Sequence, residues 1–105
     1  MFGAPTTSVE AFVIDTTGGL EAIALCTELR RAGVKADRSF DSKSMKAQFK
    51  DADRSGATIA LVVGSDELTA RTVLVRDLRG EERIQHAVDR SDVVARVAEA
   101  LRHDR

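Results

Sequence analysis

The residues with the clearest chemical potential are basic and lie between residues 30 and 54. Eight Lys and Arg against four Asp give this stretch a charge of +4, and a total of −1 leaves −5 for all other residues. Four of the cations are spaced 3, 4 and 4 apart: Lys43, Lys46, Lys50 and Arg54. At about 100° per residue they share one side of a helix, a stripe that suits a phosphate backbone. An ordinary solvated helix face, diluted by Asp51 and Asp53, is the alternative.

Two further groups have side chains that suit base recognition. Asp66 and Glu67 follow an apolar run that ends at Gly64, where the carboxyl end of a strand would present them to a ligand. Carboxylates there can accept hydrogen bonds from an unpaired guanine, although capping of a helical turn by Ser65 or Asp66 is equally open. The guanidinium of Arg76 suits a phosphate or a guanine edge, or else belongs to ordinary surface.

Other chemistry finds little support in the sequence. The segment DTTGG at residues 15–19 lacks the glycine spacing of a dinucleotide site, and no Walker lysine is present. His86 and His103 lie 17 positions apart without acidic or thiol partners at ligand spacing, which argues against a metal site. The lone Cys26 falls on the apolar side of a predicted helix and is interpreted as a core residue. We therefore expect no catalytic residue, metal or cofactor in this chain.

Composition sets the outer limits. A chain of 105 residues with 43% apolar content can form one domain with one core, and its near-neutral total argues against a polybasic nucleic-acid binder. Four Phe with no Trp or Tyr make an aromatic stacking surface a poor expectation. A single cysteine and short apolar runs indicate a reduced, cytoplasmic protein without a membrane span. Residues 1–8 are expected to be a linker or chain start, and residues 9–105 the domain.

Periodicity and turn signals predict the elements that carry these residues. Strands are expected at residues 11–14, 34–40, 58–63, 72–78 and 82–88, and helices at 20–31, 42–55 and 91–102. In the helix at 42–55, Ser42 is a plausible cap, and Met45, Phe49 and Ala52 would face the sheet. A single helical turn at residues 65–68 is left open. The first three strands alternate with two helices, so they should be parallel, with right-handed crossovers. The last two form an antiparallel hairpin around residues 79–80. The prediction is an α/β fold with a mixed five-stranded sheet and three helices.

Four segments together resemble one known family. They are LRRAG at residues 29–33, KSMKAQFKDADRSGA at 43–57, LVVGSDEL at 61–68 and VLVRDL at 73–78. The sequence is similar there to the C-terminal anticodon-binding domain of bacterial histidyl-tRNA synthetases, which are class II enzymes. The second segment is the most specific, and the resemblance covers residues 9–78 well. Residues 83–86 match no pattern of the family.

The resemblance implies that this domain grips the anticodon loop of histidine tRNA. It implies RNA contacts for Lys43, Lys46, Gln48, Lys50, Glu67 and Arg76, with Lys43 and Lys50 on phosphates. It also implies a homodimeric histidine–tRNA ligase whose N-terminal catalytic domain, outside this chain, uses ATP and magnesium. Phe40 is the aromatic residue expected to stack near the basic helix.

Two other functions stay open at this point. A flavodoxin-like module for a small ligand or a protein would share the parallel core, and would tolerate loss of the four helix cations. Alternatively, the last predicted helix docks a partner through Val94, Val97 and Leu101, which requires that stripe to be exposed.

Overall fold

A computed structural model describes residues 9–39, 44–79 and 85–103 of the protein. Its five strands are β1 (Ala11–Asp15), β2 (Ala36–Arg38), β3 (Ile59–Val63), β4 (Thr72–Asp77) and β5 (Gln85–Asp89). Its helices are α1 (Leu20–Arg31), α2 (Met45–Ser55), α3 (Ser65–Ala70) and α4 (Val93–His103). The additional helix, α3, extends what the sequence suggested as one turn, so the described residues form four helices instead of three.

The strands form one mixed sheet in the order β2-β1-β3-β4-β5. Strand β1 is parallel to both of its neighbours, and β4 is antiparallel to β3 and to β5. The predicted fold class, a parallel core extended by an antiparallel hairpin, is therefore confirmed. Strands β2 and β5 are the edges of the sheet.

Alternating side chains divide the interior into two cores, one on each face of the sheet. Val13, Leu61 and Val73 point to the larger core, which α1 and α4 complete with Leu25, Leu29, Val93, Val97 and Leu101. Phe12, Ile14, Ala60 and Val62 point to the smaller core, where α2 contributes Ala52 and Phe49. On the described residues, one face thus carries two long helices and the other carries α2.

Burial of α4 excludes one of the open functions. Val97 is 2% exposed and Leu101 is 4% exposed, and both pack into the larger core. Because this stripe is covered by the domain's own sheet, it cannot dock a partner.

The start of α2 also differs from the prediction. Residue 42 was expected to cap it, but the helix begins at Met45, where the Oγ of Ser44 accepts a hydrogen bond from the Ala47 backbone amide at 3.2 Å. Met45, expected to face the sheet, is 38% exposed because it lies in the first turn. Ser42, Lys43 and Phe40 lie outside the described residues.

Candidate nucleic-acid interface

Helix α2 is held on the sheet by two hydrogen bonds between the Gln48 side chain and the Asp15 backbone. The Oε1 of Gln48 accepts from the Asp15 backbone amide, and its Nε2 donates to the Asp15 carbonyl oxygen, each at 3.0 Å. Asp15 in turn caps α1, because its Oδ2 accepts from the Ala22 amide at 3.1 Å. One residue at the end of β1 therefore fixes the starts of two helices.

Because of these two hydrogen bonds, Gln48 is buried, unlike the other predicted contact residues that the structure describes. Gln48 is 4% exposed, below α2 instead of on its outer side. A direct RNA contact by Gln48 stays a prediction, and it would require the two bonds to the Asp15 backbone to break.

The basic stripe of α2 is smaller in the structure than its spacing suggests. Lys46 and Lys50 are exposed, and no ion pair among the described residues involves them. Arg54 is 79% exposed and pairs with Asp51 at 3.9 Å. Asp51 also accepts from the Ser39 hydroxyl at 2.7 Å, which turns it toward the β2 side of the helix. Lys46 and Lys50 are therefore the two cations of α2 best placed to meet phosphate.

Arg76 joins this surface from the sheet. It lies on β4, two residues from Leu74, which packs in the smaller core, so both side chains are on the α2 face. The guanidinium carbon lies 4.9 Å from the centre of the Phe49 ring, within the range of a cation–π contact. Arg76 therefore contacts the helix that exposes Lys46 and Lys50.

Glu67 lies in a different place. Its Oε1 accepts from the Gly64 backbone amide at 2.8 Å and closes the first turn of α3, so capping is done by Glu67 itself. Glu67 lines a pocket of about 260 Å³ together with Glu21, Leu68 and Arg90. Arg76 pairs with Ala60, near the opposite end of β3. Ala60 and Gly64 are four positions apart along the chain, roughly 13 Å at about 3.3 Å per residue.

Phe49 and Gln85, which lie beside Arg76, were not predicted from the sequence as contact residues. Phe49 was assigned to the core, which it joins only in part, and its ring also supports Arg76. Gln85 lies on β5, directly opposite Arg76, in a segment that matched no family pattern. The position of Phe49 between two lysines of one helix could have indicated its contact role. The role of Gln85 depends on pairing between strands, which leaves no local pattern in the sequence.

The shifted ionisable groups lie away from this surface. Burial raises the pKa of the Cys26 thiol, which disfavours the thiolate that nucleophilic chemistry needs. The guanidinium of Arg90 lowers the pKa of the Glu28 carboxyl, and Glu28 in turn raises the pKa of Arg90. Within the described residues, no group of three His, Cys, Asp or Glu could hold a metal ion.

Among the helices described, none has the length and apolar character needed to cross a membrane.

The chain is similar to known tRNA ligases over most of its length. Residues 10–100 match the family model described as the anticodon binding domain. The chain is 38% identical over 86 residues to the histidine–tRNA ligase of Solidesulfovibrio magneticus, a match that covers 80% of this chain and 20% of that protein. It is 44% identical over 77 residues to the Corynebacterium jeikeium ligase, covering 73% and 17%. The chain therefore spans about a fifth of the length of these relatives.

Solved structures share the fold. The apo histidyl-tRNA synthetase of S. aureus superposes with a TM-score of 0.77 at 24% identity, over 88% of this chain and 24% of that one. The RNA binding domain of threonyl-tRNA synthetase from Cryptosporidium parvum gives a TM-score of 0.74 at 17% identity, with coverages of 88% and 23%. At these identities, the likeness concerns the fold alone.

Proposed function

The chain belongs to the anticodon-binding domain family, and from this premise we propose that it binds the anticodon loop of histidine tRNA. The identity to histidine–tRNA ligases over most of the chain supports the choice of tRNA. The observation that carries the binding surface is the contact of Arg76 with the Phe49 ring, on the helix that exposes Lys46 and Lys50. Cationic and planar groups on one surface suit an RNA loop, which offers phosphates and unstacked bases together.

The proposed division of labour follows from exposure and position. Lys46 and Lys50, at the outer side of α2, neutralise phosphates, as does Lys43 in the preceding segment. Arg76 contacts a base or the adjoining phosphate. Glu67 accepts from a base edge through the oxygen that does not bond Gly64. Gln48 holds α2 in place for the others through Asp15.

The rest of the proposed protein lies outside this chain. We place the domain in a cytoplasmic, homodimeric histidine–tRNA ligase, whose catalytic part binds ATP and magnesium and carries out aminoacylation. In this proposal the domain contributes binding and selection of the tRNA, and not the ligase chemistry.

The experiment is a titration of fluorescently labelled anticodon stem-loop RNA with the 105-residue protein. A variant with Lys43, Lys46, Lys50 and Arg54 all changed to Gln should lose at least tenfold in affinity for the histidine stem-loop. The family match and the relatives do not favour a flavodoxin-like module without RNA binding. That alternative predicts that the unaltered protein and the fourfold variant have the same affinity for the histidine stem-loop. Equal affinities would refute the proposal.

A further inference from the structure

The α2 face of the β4–β5 hairpin carries a pair of polar side chains, of which the family resemblance assigned Arg76 but not Gln85. Arg76 on β4 and Gln85 on β5 are register partners, and residues directly opposite each other in an antiparallel pair project from the same face. Gln85 is exposed and Arg76 is partly exposed. Their side chains therefore emerge side by side, and Arg76 contacts α2 through Phe49.

The surface of the sheet beside this pair carries a small side chain and is accessible to solvent. Leu74 and Ala87 are also register partners, two positions along the hairpin from Arg76 and Gln85. They therefore lie on the same face of the sheet. Leu74 packs against the smaller core, whereas Ala87 is exposed. Because Ala87 has a single methyl group, a flat ligand can approach the sheet here without displacing a side chain.

Phe49 forms the wall on the α2 side and orients Arg76. With its guanidinium over the ring, Arg76 has one side covered and keeps its remaining exposed surface toward solvent. A guanidinium is planar and stacks readily on the π-face of an unpaired base. The Gln85 amide beside it has both a donor and an acceptor, which can meet the edge of a base in that stack.

We propose that Gln85 is a specificity-determining residue: one unpaired base of the anticodon loop stacks on Arg76 while the Gln85 amide hydrogen-bonds its edge. Phe49 is then a positioning residue, which acts through Arg76. The exposed cations Lys46 and Lys50 match the charge of the RNA backbone that must accompany the base. This inference rests on the proposed function and adds to it the residue that reads one anticodon position.

The test uses the 105-residue protein and four RNA stem-loops: the histidine loop, and three loops with one anticodon base replaced in each. Gln85→Ala is compared with His86→Ala, which removes the neighbouring exposed side chain from the opposite face of the same strand. Loss of one neutral hydrogen bond predicts that Gln85→Ala reduces discrimination about fivefold at a single anticodon position. Arg76→Lys should reduce discrimination at the same position, and His86→Ala at none.

Phe49→Leu should weaken binding of the histidine loop about tenfold, because Arg76 loses the ring that orients its guanidinium. Phe49→Tyr keeps an aromatic ring and should bind like the unaltered protein. Thermal unfolding of each variant fixes an assay temperature at which all are folded. If Gln85→Ala discriminates like the unaltered protein at all three positions, the inference fails, whereas a preference of the unaltered protein for the histidine loop keeps the proposed function. If the unaltered protein shows no preference, both fail.

Discussion

The guanidinium of Arg76, on β4, lies 4.9 Å from the centre of the Phe49 ring, on α2. This contact joins the antiparallel hairpin to the helix that carries the exposed lysines. Each element alone presents an ordinary surface, since α2 also has Asp51 and Asp53, and β4 alternates apolar and polar residues. Through this contact, the planar guanidinium of Arg76 lies against the helix that exposes Lys46 and Lys50.

Lys50 should contribute charge without base preference. We expect Lys50→Gln to weaken binding to every stem-loop alike and to lower the slope of log affinity against log salt by about 0.7, the value for one phosphate of a single strand. Arg102→Gln removes the same charge from the exposed side of α4, on the opposite layer, and should leave both quantities unchanged. Equal effects of the two variants in salt-dependent titrations would show that net charge alone governs binding.

Glu67 should influence discrimination more than affinity. Its Oε1 caps α3 through Gly64, so Glu67→Gln keeps an acceptor oxygen for that bond, whereas Glu67→Ala also loses the cap, worth about 1 kcal/mol of stability. Both variants should discriminate anticodons less well than Lys50→Ala, which weakens all RNAs alike. Titrations with cognate and altered loops measure the first effect, and urea unfolding measures the second. Unchanged discrimination in Glu67→Gln would assign the residue to capping alone.

Gln48 should act mainly on stability. Gln48→Met keeps the size of the side chain but leaves the buried amide and carbonyl of Asp15 without these partners, at a cost of about 2–3 kcal/mol. Chemical unfolding should show this loss, while RNA affinity, measured where the variant is folded, should change less than in Lys46→Gln. The reverse pattern would mean that Gln48 leaves Asp15 to contact RNA directly.

Arg90 should give stability a dependence on acid pH. It bonds Glu28 at 2.7 Å and Glu21 at 3.0 Å, and so ties the turn before α4 to α1. Because Arg90 lowers the pKa of Glu28 in the folded state, the pair stabilises the fold above the ordinary value of 4.5, and this stabilisation is lost as pH falls through the lowered pKa. Arg90→Gln should cost about 1 kcal/mol at neutral pH, since Glu28 is exposed, and progressively less as pH falls below 4.5. A cost that does not change with pH would contradict this account.

Local sequence signals predicted most of the fold because each element is consistent with its own pattern. Helix α1 begins and ends where its periodicity and flanking glycines placed it, and β3 was evident as an apolar run. Errors arose where two signals compete over a few residues. Ser42 and Ser44 are both good caps, and the hydrogen bond from Ala47 decides between them.

The site was harder to predict because its key relationships are long-range. Charge and spacing drew attention to Lys46 and Lys50. Spacing could not show that Asp51 accepts a hydrogen bond from Ser39, or that the Gln48 amide bonds the backbone of Asp15. Both contacts depend on how far α2 is shifted along the sheet. The pairing of Arg76 with Gln85 depends on the register of the hairpin, which residues 79–84 alone do not specify.

The most direct test of the central claim is the ratio of affinities of this protein for stem-loops with the histidine anticodon and with a non-cognate anticodon, measured at several salt concentrations. We predict that both affinities fall as salt rises, while the ratio stays above about ten, because phosphate contacts are lost in common and base contacts are kept. A ratio near one at every salt concentration would contradict the claim that this domain reads the anticodon.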